Sequence, residues 1–97
     1  MLECTPAWDG NWTRDCFVAW LWCGEGGDRR LIAVNYAANQ SQCYVQLPFP
    51  ELSGRAVRFK DTMGAASYDR DGREVISRGL YLDLPPWGYH VFQLTEL

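Results

Sequence analysis

The segment from Asp15 to Ala37, DCFVAWLWCGEGGDRRLIAVNYA, contains two apolar runs joined by a short glycine-rich loop. In the first run, Cys16–Cys23, residues of both parities are apolar, which is typical of a strand that is covered on both faces. This interpretation makes Trp20 and Trp22 core residues. The second run, Leu31–Tyr36, repeats the pattern, and the glycines between the runs supply the positive φ angles that a hairpin loop needs. The segment therefore predicts the central hairpin of a β domain.

The composition is that of one globular domain spanning residues 1–97, with 47% hydrophobic residues, 22% charged residues and a net charge of −3. Lys and Arg are not clustered, so nucleic acid is not expected as a partner. No apolar run reaches the roughly 18–20 residues of a membrane span, so no membrane is expected either. The first residues, MLECTPAWDG, lack the basic and apolar regions of a signal peptide. They look like folded sequence, and we expect the chain to be a fragment of a longer protein.

Short alternating segments separated by turn signals fill the rest of the chain. Outside the central hairpin, the pattern predicts strands at Glu3–Trp8, Gln42–Leu47, Arg55–Asp61, Ala66–Asp69, Glu74–Ser77, Leu80–Leu84 and Tyr89–Leu94. Asp69–Gly72 has the composition of a hairpin turn. Because no segment of ten residues has a clean helical period, the pattern predicts an all-β sandwich or barrel.

The four cysteines, Cys4, Cys16, Cys23 and Cys43, all lie among apolar neighbours. In such surroundings a thiol behaves as a small hydrophobic side chain, so buried free thiols are expected, with a disulfide and a metal site as alternatives. There is no Cys-x-x-Cys pair, and the only histidine is His90. Free thiols favour a reducing compartment, which predicts a cytoplasmic protein.

No motif in the sequence predicts catalysis or a cofactor. Glycosidase chemistry needs two carboxylates roughly 5–10 Å apart across a cleft, whereas Asp69 and Asp71 lie in a predicted turn and lack the further ligands of a calcium loop. Gly24–Gly27 leads into a strand rather than a helix, so the phosphate-binding helix terminus is missing. His90 has no nucleophile partner recognisable by motif, and we expect it to pack or hydrogen-bond at the start of a strand. We therefore predict no catalytic residue, metal ligand or cofactor.

Four segments, taken in order, carry a family resemblance that covers nearly the whole chain. They are ECTPAWDGN at Glu3–Asn11, LIAVNYA at Leu31–Ala37, QLPFPELSGR at Gln46–Arg55 and GLYLDLPPWGYHVFQL at Gly79–Leu94. Together they resemble the C-terminal β domain of bacterial alpha-amylase-family glycoside hydrolases. The cysteine content departs from the pattern expected of that domain.

The resemblance implies an antiparallel Greek-key β-sandwich of about eight strands, packed against a (β/α)8 catalytic barrel. In that family the catalytic carboxylates belong to the barrel, so the chain would be a non-catalytic accessory domain with the barrel as its partner. Its parent enzyme would be a glycoside hydrolase or a glucan-active transglycosidase. The resemblance does not give the substrate, because specificity resides in the barrel.

A second hypothesis is a carbohydrate-binding module. Such modules stack sugar rings on exposed indoles, and Trp8, Trp12 and Trp87 lie near predicted turns. The structural alternative is that these rings cover the ends of the sandwich or pack on the barrel, since burial of a large ring is favourable by roughly 2–3 kcal/mol. Glucan is thus a candidate partner of these three tryptophans.

The two apolar faces of Cys16–Cys23 predict an apolar patch, because a strand in a sandwich has only one face on its own core. The other face must be covered by loops, by a partner domain or by another copy of the chain. We expect the patch near Leu2–Trp8, where the chain would enter from the barrel. The isolated chain is then expected to self-associate as its concentration rises.

Overall fold

The computed structural model describes residues 2–97 and shows an all-β sandwich of eight antiparallel strands with one short helix. The strands are β1 Cys4–Pro6, β2 Phe17–Cys23, β3 Arg29–Asn35, β4 Ser41–Val45, β5 Ala56–Asp61, β6 Ser67–Asp71, β7 Leu80–Leu84 and β8 Tyr89–Glu96. The helix α1 is Gly72–Arg78, and 3-10 turns lie at Thr13–Cys16, Glu25–Gly27 and Pro50–Leu52. None of the helices within residues 2–97 has the length and apolar character needed to cross a membrane.

Two sheets form the layers of the sandwich. One has three strands in the order β1-β4-β7, and the other has five in the order β2-β3-β8-β5-β6. The chain passes between the sheets at five connections, β1–β2, β3–β4, β4–β5, β6–β7 and β7–β8, so non-consecutive strands such as β3 and β8 become neighbours. This is Greek-key connectivity, and the predicted fold class is confirmed.

The core lies between the sheets and follows the alternation of the sequence. The buried apolar side chains of the three-stranded sheet are Cys43, Val45, Leu80, Leu82 and Leu84, and those of the five-stranded sheet are Phe17, Ala19, Leu31, Ala33, Val57, Phe59, Phe92 and Leu94. In β4, β5 and β7 every second residue is buried, as expected of the alternating segments.

The predicted hairpin is also present, although it lies at one edge of the five-stranded sheet and not at its centre. β2 and β3 pair along their whole length, from Phe17 opposite Asn35 to Cys23 opposite Arg29. The loop between them turns through Gly26 and Gly27, whose φ angles are +68° and +79°. Strand β2 begins one residue later than predicted, because Cys16 ends the preceding 3-10 turn.

The predicted strand Glu74–Ser77 is wrong, since these residues lie in α1. The Asp69–Gly72 hairpin turn is wrong as well, because Asp69 and Asp71 belong to β6. Asp71 caps the helix by accepting a hydrogen bond from the Arg73 backbone N–H at 3.0 Å. The helix buries Val75 and partly buries Ile76 against the core. Positions 72, 75, 76 and 79 lie on one side of the chain, which is the spacing of a helix and not the alternation of a strand.

The prediction that β2 is covered on both faces is also wrong. Only its inward residues Phe17 and Ala19 are buried, whereas Trp20 and Trp22 are 42% and 53% exposed. The reason is tertiary: β2 is an edge strand, and no layer covers the outer side of its sheet. Cys23 has the same parity as Phe17 and Ala19, but it is exposed because it lies at the end of β2, beyond the buried part of the strand. The four cysteines are therefore not all buried.

Candidate functional site: the outer aromatic face

The strand register places one continuous set of apolar side chains on the outer side of β2, β3 and β8. Val18 lies opposite Val34, and Trp20 lies opposite Ile32. On the other side of β3, Val34 pairs with Tyr89 and Ile32 with Val91. The outer aromatic face, as we call this surface, consists of Val18, Trp20, Trp22, Ile32, Val34, Tyr36, Trp87, Tyr89 and Val91.

Large rings dominate the exposed area of this face. Tyr89 is 51% exposed, and Tyr36 and Trp87 are 72% and 57% exposed. These last two rings contact each other edge to face, with centroids 5.5 Å apart. With Trp20 and Trp22, the five rings leave on the order of 500 Å² of aromatic surface in water. This lies at the upper end of the largest apolar patches of ordinary monomers, which are often functional.

The ring of Trp22 lies against the hairpin loop. Its ring lies so close to Gly24 that a Cβ at that position would meet the ring at 2.7 Å. A glycine here therefore lets the indole lie against the backbone.

Most charged side chains of the same sheet surface lie on the other half of the sheet, with Arg30 as an exception. Lys60 and Arg58 of β5 face outward. Arg58 makes a bidentate ion pair with Asp69 of β6, in which its Nε and Nη2 donate to the two carboxylate oxygens at 2.8 and 3.1 Å. On the apolar half, Arg30 lies at the end of β3, with its Nε 3.6 Å from an Asp28 carboxylate oxygen. The sheet surface is thus divided into an aromatic half and a polar half.

The N-terminal segment contacts the edge of β2. The Leu2 backbone N–H donates to the Ala19 carbonyl of β2 at 2.8 Å. Further along, Asn11 is buried and holds this segment on β4: its side-chain N–H group donates to Gln42 Oε1 at 3.1 Å, and its oxygen accepts from the Thr13 N–H at 2.8 Å. The segment is therefore anchored to both sheets.

The three candidate sugar-binding tryptophans are exposed, but only one lies on this face. Trp87 belongs to the outer aromatic face through its contact with Tyr36. Trp8 and Trp12 are 55% and 64% exposed and lie in the segment between β1 and β2. Neither ring is paired with another aromatic ring in the described part of the chain.

The other rings of the face are not predictable from the sequence pattern. The apolar character of β2 predicts Trp20 and Trp22 in the core, and no motif gives a role to Tyr36 and Tyr89. Since both parities of β2 are apolar, its periodicity contains no signal that separates the inner from the outer side.

His90 hydrogen-bonds at the start of β8, as predicted. Its Nδ1 lies 2.7 Å from Oδ2 of the buried Asp61, and its ring stacks on Phe92 with centroids 4.6 Å apart. Burial alone would raise the pKa of Asp61, but hydrogen bonds from His90 and from the Met63 and Val91 backbone N–H groups lower it below its usual value. The pair joins β5 to β8 and has the geometry of a structural hydrogen bond.

This pair was missed by the sequence analysis, although a signal was present. Asp61 shares the parity of the buried residues Val57 and Phe59. A carboxylate at an inward position needs a buried partner, and the single histidine is the obvious candidate.

The other carboxylates considered for chemistry have structural partners. Asp69 is paired with Arg58, which lowers the pKa of the Asp69 carboxyl through their hydrogen bond. Asp71 caps α1. Among residues 2–97, no group of three or more His, Cys, Asp and Glu side chains is arranged to hold a metal ion.

The four cysteines are free thiols with different surroundings. Cys43 is buried, Cys4 and Cys16 are half-buried, and Cys23 is exposed. The Cys43 thiol is hydrogen-bonded to Cys4, which lowers the pKa of Cys4 and raises that of Cys43. The pairing of β1 with β4 brings these two thiols together, since Cys4 lies opposite Val45, two residues from Cys43.

Comparison with protein-family models, with curated proteins and with solved structures finds no match to this chain. Its functional interpretation therefore depends on the sequence motifs and on the surface described above.

Proposed function

We propose that this chain is a non-catalytic accessory domain of an alpha-amylase-type glycoside hydrolase, and that its outer aromatic face packs on the (β/α)8 catalytic barrel. The fold class expected of such a domain and the four sequence segments that resemble it support this assignment. The exposed outer aromatic face is the observation that carries the docking role, because a sandwich that acts alone in water has no need of five exposed rings on one sheet.

The size of the face agrees with a contact between domains. Interfaces between domains of one chain bury roughly 600–1,500 Å² in total, so each side contributes about half of that. The exposed rings alone supply on the order of 500 Å², and the neighbouring aliphatic residues extend the area. The adjoining polar half would form the hydrated rim that surrounds most interfaces.

The reading frame upstream of the Met1 codon provides the first test. A continuous frame that encodes a (β/α)8 barrel supports the proposal, and an in-frame stop codon directly upstream contradicts it. In the joined protein, Ile32→Lys should lower the melting temperature of the barrel, because it places a charge in the centre of the docking surface. Lys60→Glu on the polar half of the same sheet is the matched control and should leave the melting temperature nearly unchanged.

A carbohydrate-binding module is the second candidate, favoured by the exposure of Trp8, Trp12 and Trp87. Each indole can stack on a sugar ring. Titration of the chain with a soluble glucan, followed by tryptophan fluorescence, tests this function. A saturable change that is lost in Trp87→Ala and kept in Trp20→Ala would favour sugar binding at the predicted site. If the fluorescence of the wild type does not change on addition of glucan, sugar binding is contradicted and docking on the barrel remains the proposed function.

A further inference from the structure

The free edge of β2 differs from the other edges of the sandwich. Edge strands expose unpaired backbone groups, and natural proteins protect them with charged residues or proline. β1 contains Pro6, β6 contains Asp69–Asp71 and β7 contains Asp83. β2, with the sequence FVAWLWC, is an edge strand without a charge or a proline.

The hydrogen bonds at the two ends of β2 show which backbone groups point outward. The Cys16 carbonyl accepts from the Tyr36 N–H at 2.8 Å, and the Gly24 N–H donates to the Asp28 carbonyl at 2.8 Å. Antiparallel strands bond at every second residue, so the even-numbered residues of β2 are bonded to β3. The odd-numbered residues therefore direct their N–H and C=O groups to the free edge.

Part of this edge is already occupied. The Phe17 N–H donates to the Arg14 carbonyl, and the Ala19 carbonyl accepts from Leu2. Within residues 2–97, no backbone group bonds to the outward N–H and C=O groups of Leu21 and Cys23. These two residues form a short edge that is open to another strand.

We propose that this edge pairs antiparallel with β2 of a second copy of the chain, about a two-fold axis at Trp22. Leu21 of each chain then exchanges backbone hydrogen bonds with Cys23 of the other. Trp22 lies directly opposite its counterpart at a non-hydrogen-bonded position, where Cα atoms are about 4.5 Å apart and side chains are in contact. No like charges lie opposite each other in this pairing, because β2 contains no charged residue.

The occupant is a second copy because the free edge is self-complementary. An antiparallel strand with two outward-directed residues at the same spacing can bond all the outward N–H and C=O groups of Leu21 and Cys23. The β2 strand of a second copy is such a strand. The contact is short, however, and buries far less than the roughly 800 Å² per partner of a stable interface. The dimer is therefore weak and reversible, and it forms only at high concentration. Its hydrogen bonds come from the strand edge, and Trp22 is the residue of the outer aromatic face that it brings into contact, so it does not depend on the proposed docking to a barrel.

Sedimentation velocity in the presence of reductant, from micromolar to millimolar concentration, tests the proposal. The wild type should shift reversibly from monomer to dimer. Cys23→Pro removes the outward N–H from an exposed edge position that tolerates proline, and should weaken the dimer by about ten-fold or more. Cys23→Ser, the matched control, keeps the N–H and removes the thiol, and should dimerise like the wild type.

Two further variants separate edge pairing from face-to-face packing. Trp22→Lys places like charges opposite each other and should abolish the dimer, whereas Tyr89→Lys, in the middle of the outer aromatic face, should leave it intact. If Tyr89→Lys abolishes the dimer and Cys23→Pro keeps it, the copies associate through their faces and the proposal is wrong. A wild type that stays monomeric at millimolar concentration also overturns it.

Hydrogen exchange gives a readout that needs no variant. The amide protons of Leu21 and Cys23 should exchange more slowly as the concentration rises, because only the dimer bonds them. The Trp22 amide, already bonded to β3, should change little. The pairing is contradicted if the exchange rates of all three amides depend equally on concentration. It is also contradicted if the exchange rates of Leu21 and Cys23 do not depend on concentration.

Discussion

At the scale of single residues, the Asp61–His90 pair has the clearest energetic consequence. Asp61 is buried and accepts three hydrogen bonds, so Asp61→Asn should lower the free energy of unfolding at neutral pH by about 2–3 kcal/mol. The pKa of Asp61 is lowered by folding. Its carboxylate therefore stabilises the fold above the unfolded-state pKa of about 3.9, and this contribution is lost as the pH falls through the folded-state value.

Urea denaturation at several pH values measures this effect. The difference in stability between wild type and Asp61→Asn should shrink as the pH falls below about 5. Asp69→Asn is the control: the side chains of its ion pair with Arg58 are about half exposed, so this substitution should change the stability at neutral pH much less than Asp61→Asn does. A stability gap between wild type and Asp61→Asn that persists or widens in acid would contradict the role given to the carboxylate.

The cysteines allow a second prediction at this scale. Because only Cys23 is exposed and Cys43 is buried, a thiol reagent should label one cysteine rapidly in the native state and four in denaturant. Cys23→Ser should remove the rapid phase and leave the slower ones. Rapid native labelling of Cys43 would be inconsistent with the packing of β1 on β4, and fewer than four thiols in denaturant without reductant would reveal a disulfide.

At the scale of elements, α1 depends on a close approach of backbones at Gly72. A Cβ at this position would lie 1.8 Å from the Leu52 carbonyl oxygen and 2.6 Å from that of Arg55. Gly72→Ala should therefore destabilise the domain by about 3 kcal/mol or more, as expected for overpacking against a backbone that cannot move freely.

Gly54→Ala is the matched control for this prediction. Gly54 has a φ of +87° but open space around its Cα, so alanine there should cost only about 1–2 kcal/mol of backbone strain. Thermal denaturation of both variants compares the two costs. If Gly72→Ala is no worse than Gly54→Ala, the helix is not held against the Pro50–Leu52 turn as described.

At the scale of the whole molecule, all the tryptophans lie at the surface. Their exposed fractions run from 42% at Trp20 to 64% at Trp12. The native fluorescence of a dilute sample should therefore be strongly quenched by acrylamide, with quenching close to that of the denatured chain. Protection of two or more tryptophans in the monomer would restore the view that Trp20 and Trp22 belong to the core. At high concentration, pairing of β2 edges should protect Trp22 selectively, and Trp22→Phe identifies its contribution.

The two proposed interactions of the sandwich differ in the groups that they use. The outer aromatic face offers apolar area to a large partner, whereas the edge of β2 offers backbone hydrogen bonds to one strand. Ile32→Lys should affect only the first, and Cys23→Pro should affect mainly the second. The two variants therefore allow the docking role and the dimer to be tested separately.

The sequence by itself determined the strands β4, β5 and β7 and which of their residues face inward. Alternation of apolar and polar residues is a local property of any strand that has one buried face and one exposed face. It did not identify α1, whose seven residues are too few for periodicity to outweigh the β-branched pair Val75 and Ile76. Local pattern also shows only which residues share a side, not which layer covers that side. The exposure of Trp20 and Trp22 and the partnership of Asp61 with His90 were decided by the tertiary structure, since both depend on which distant strands become neighbours in the sandwich.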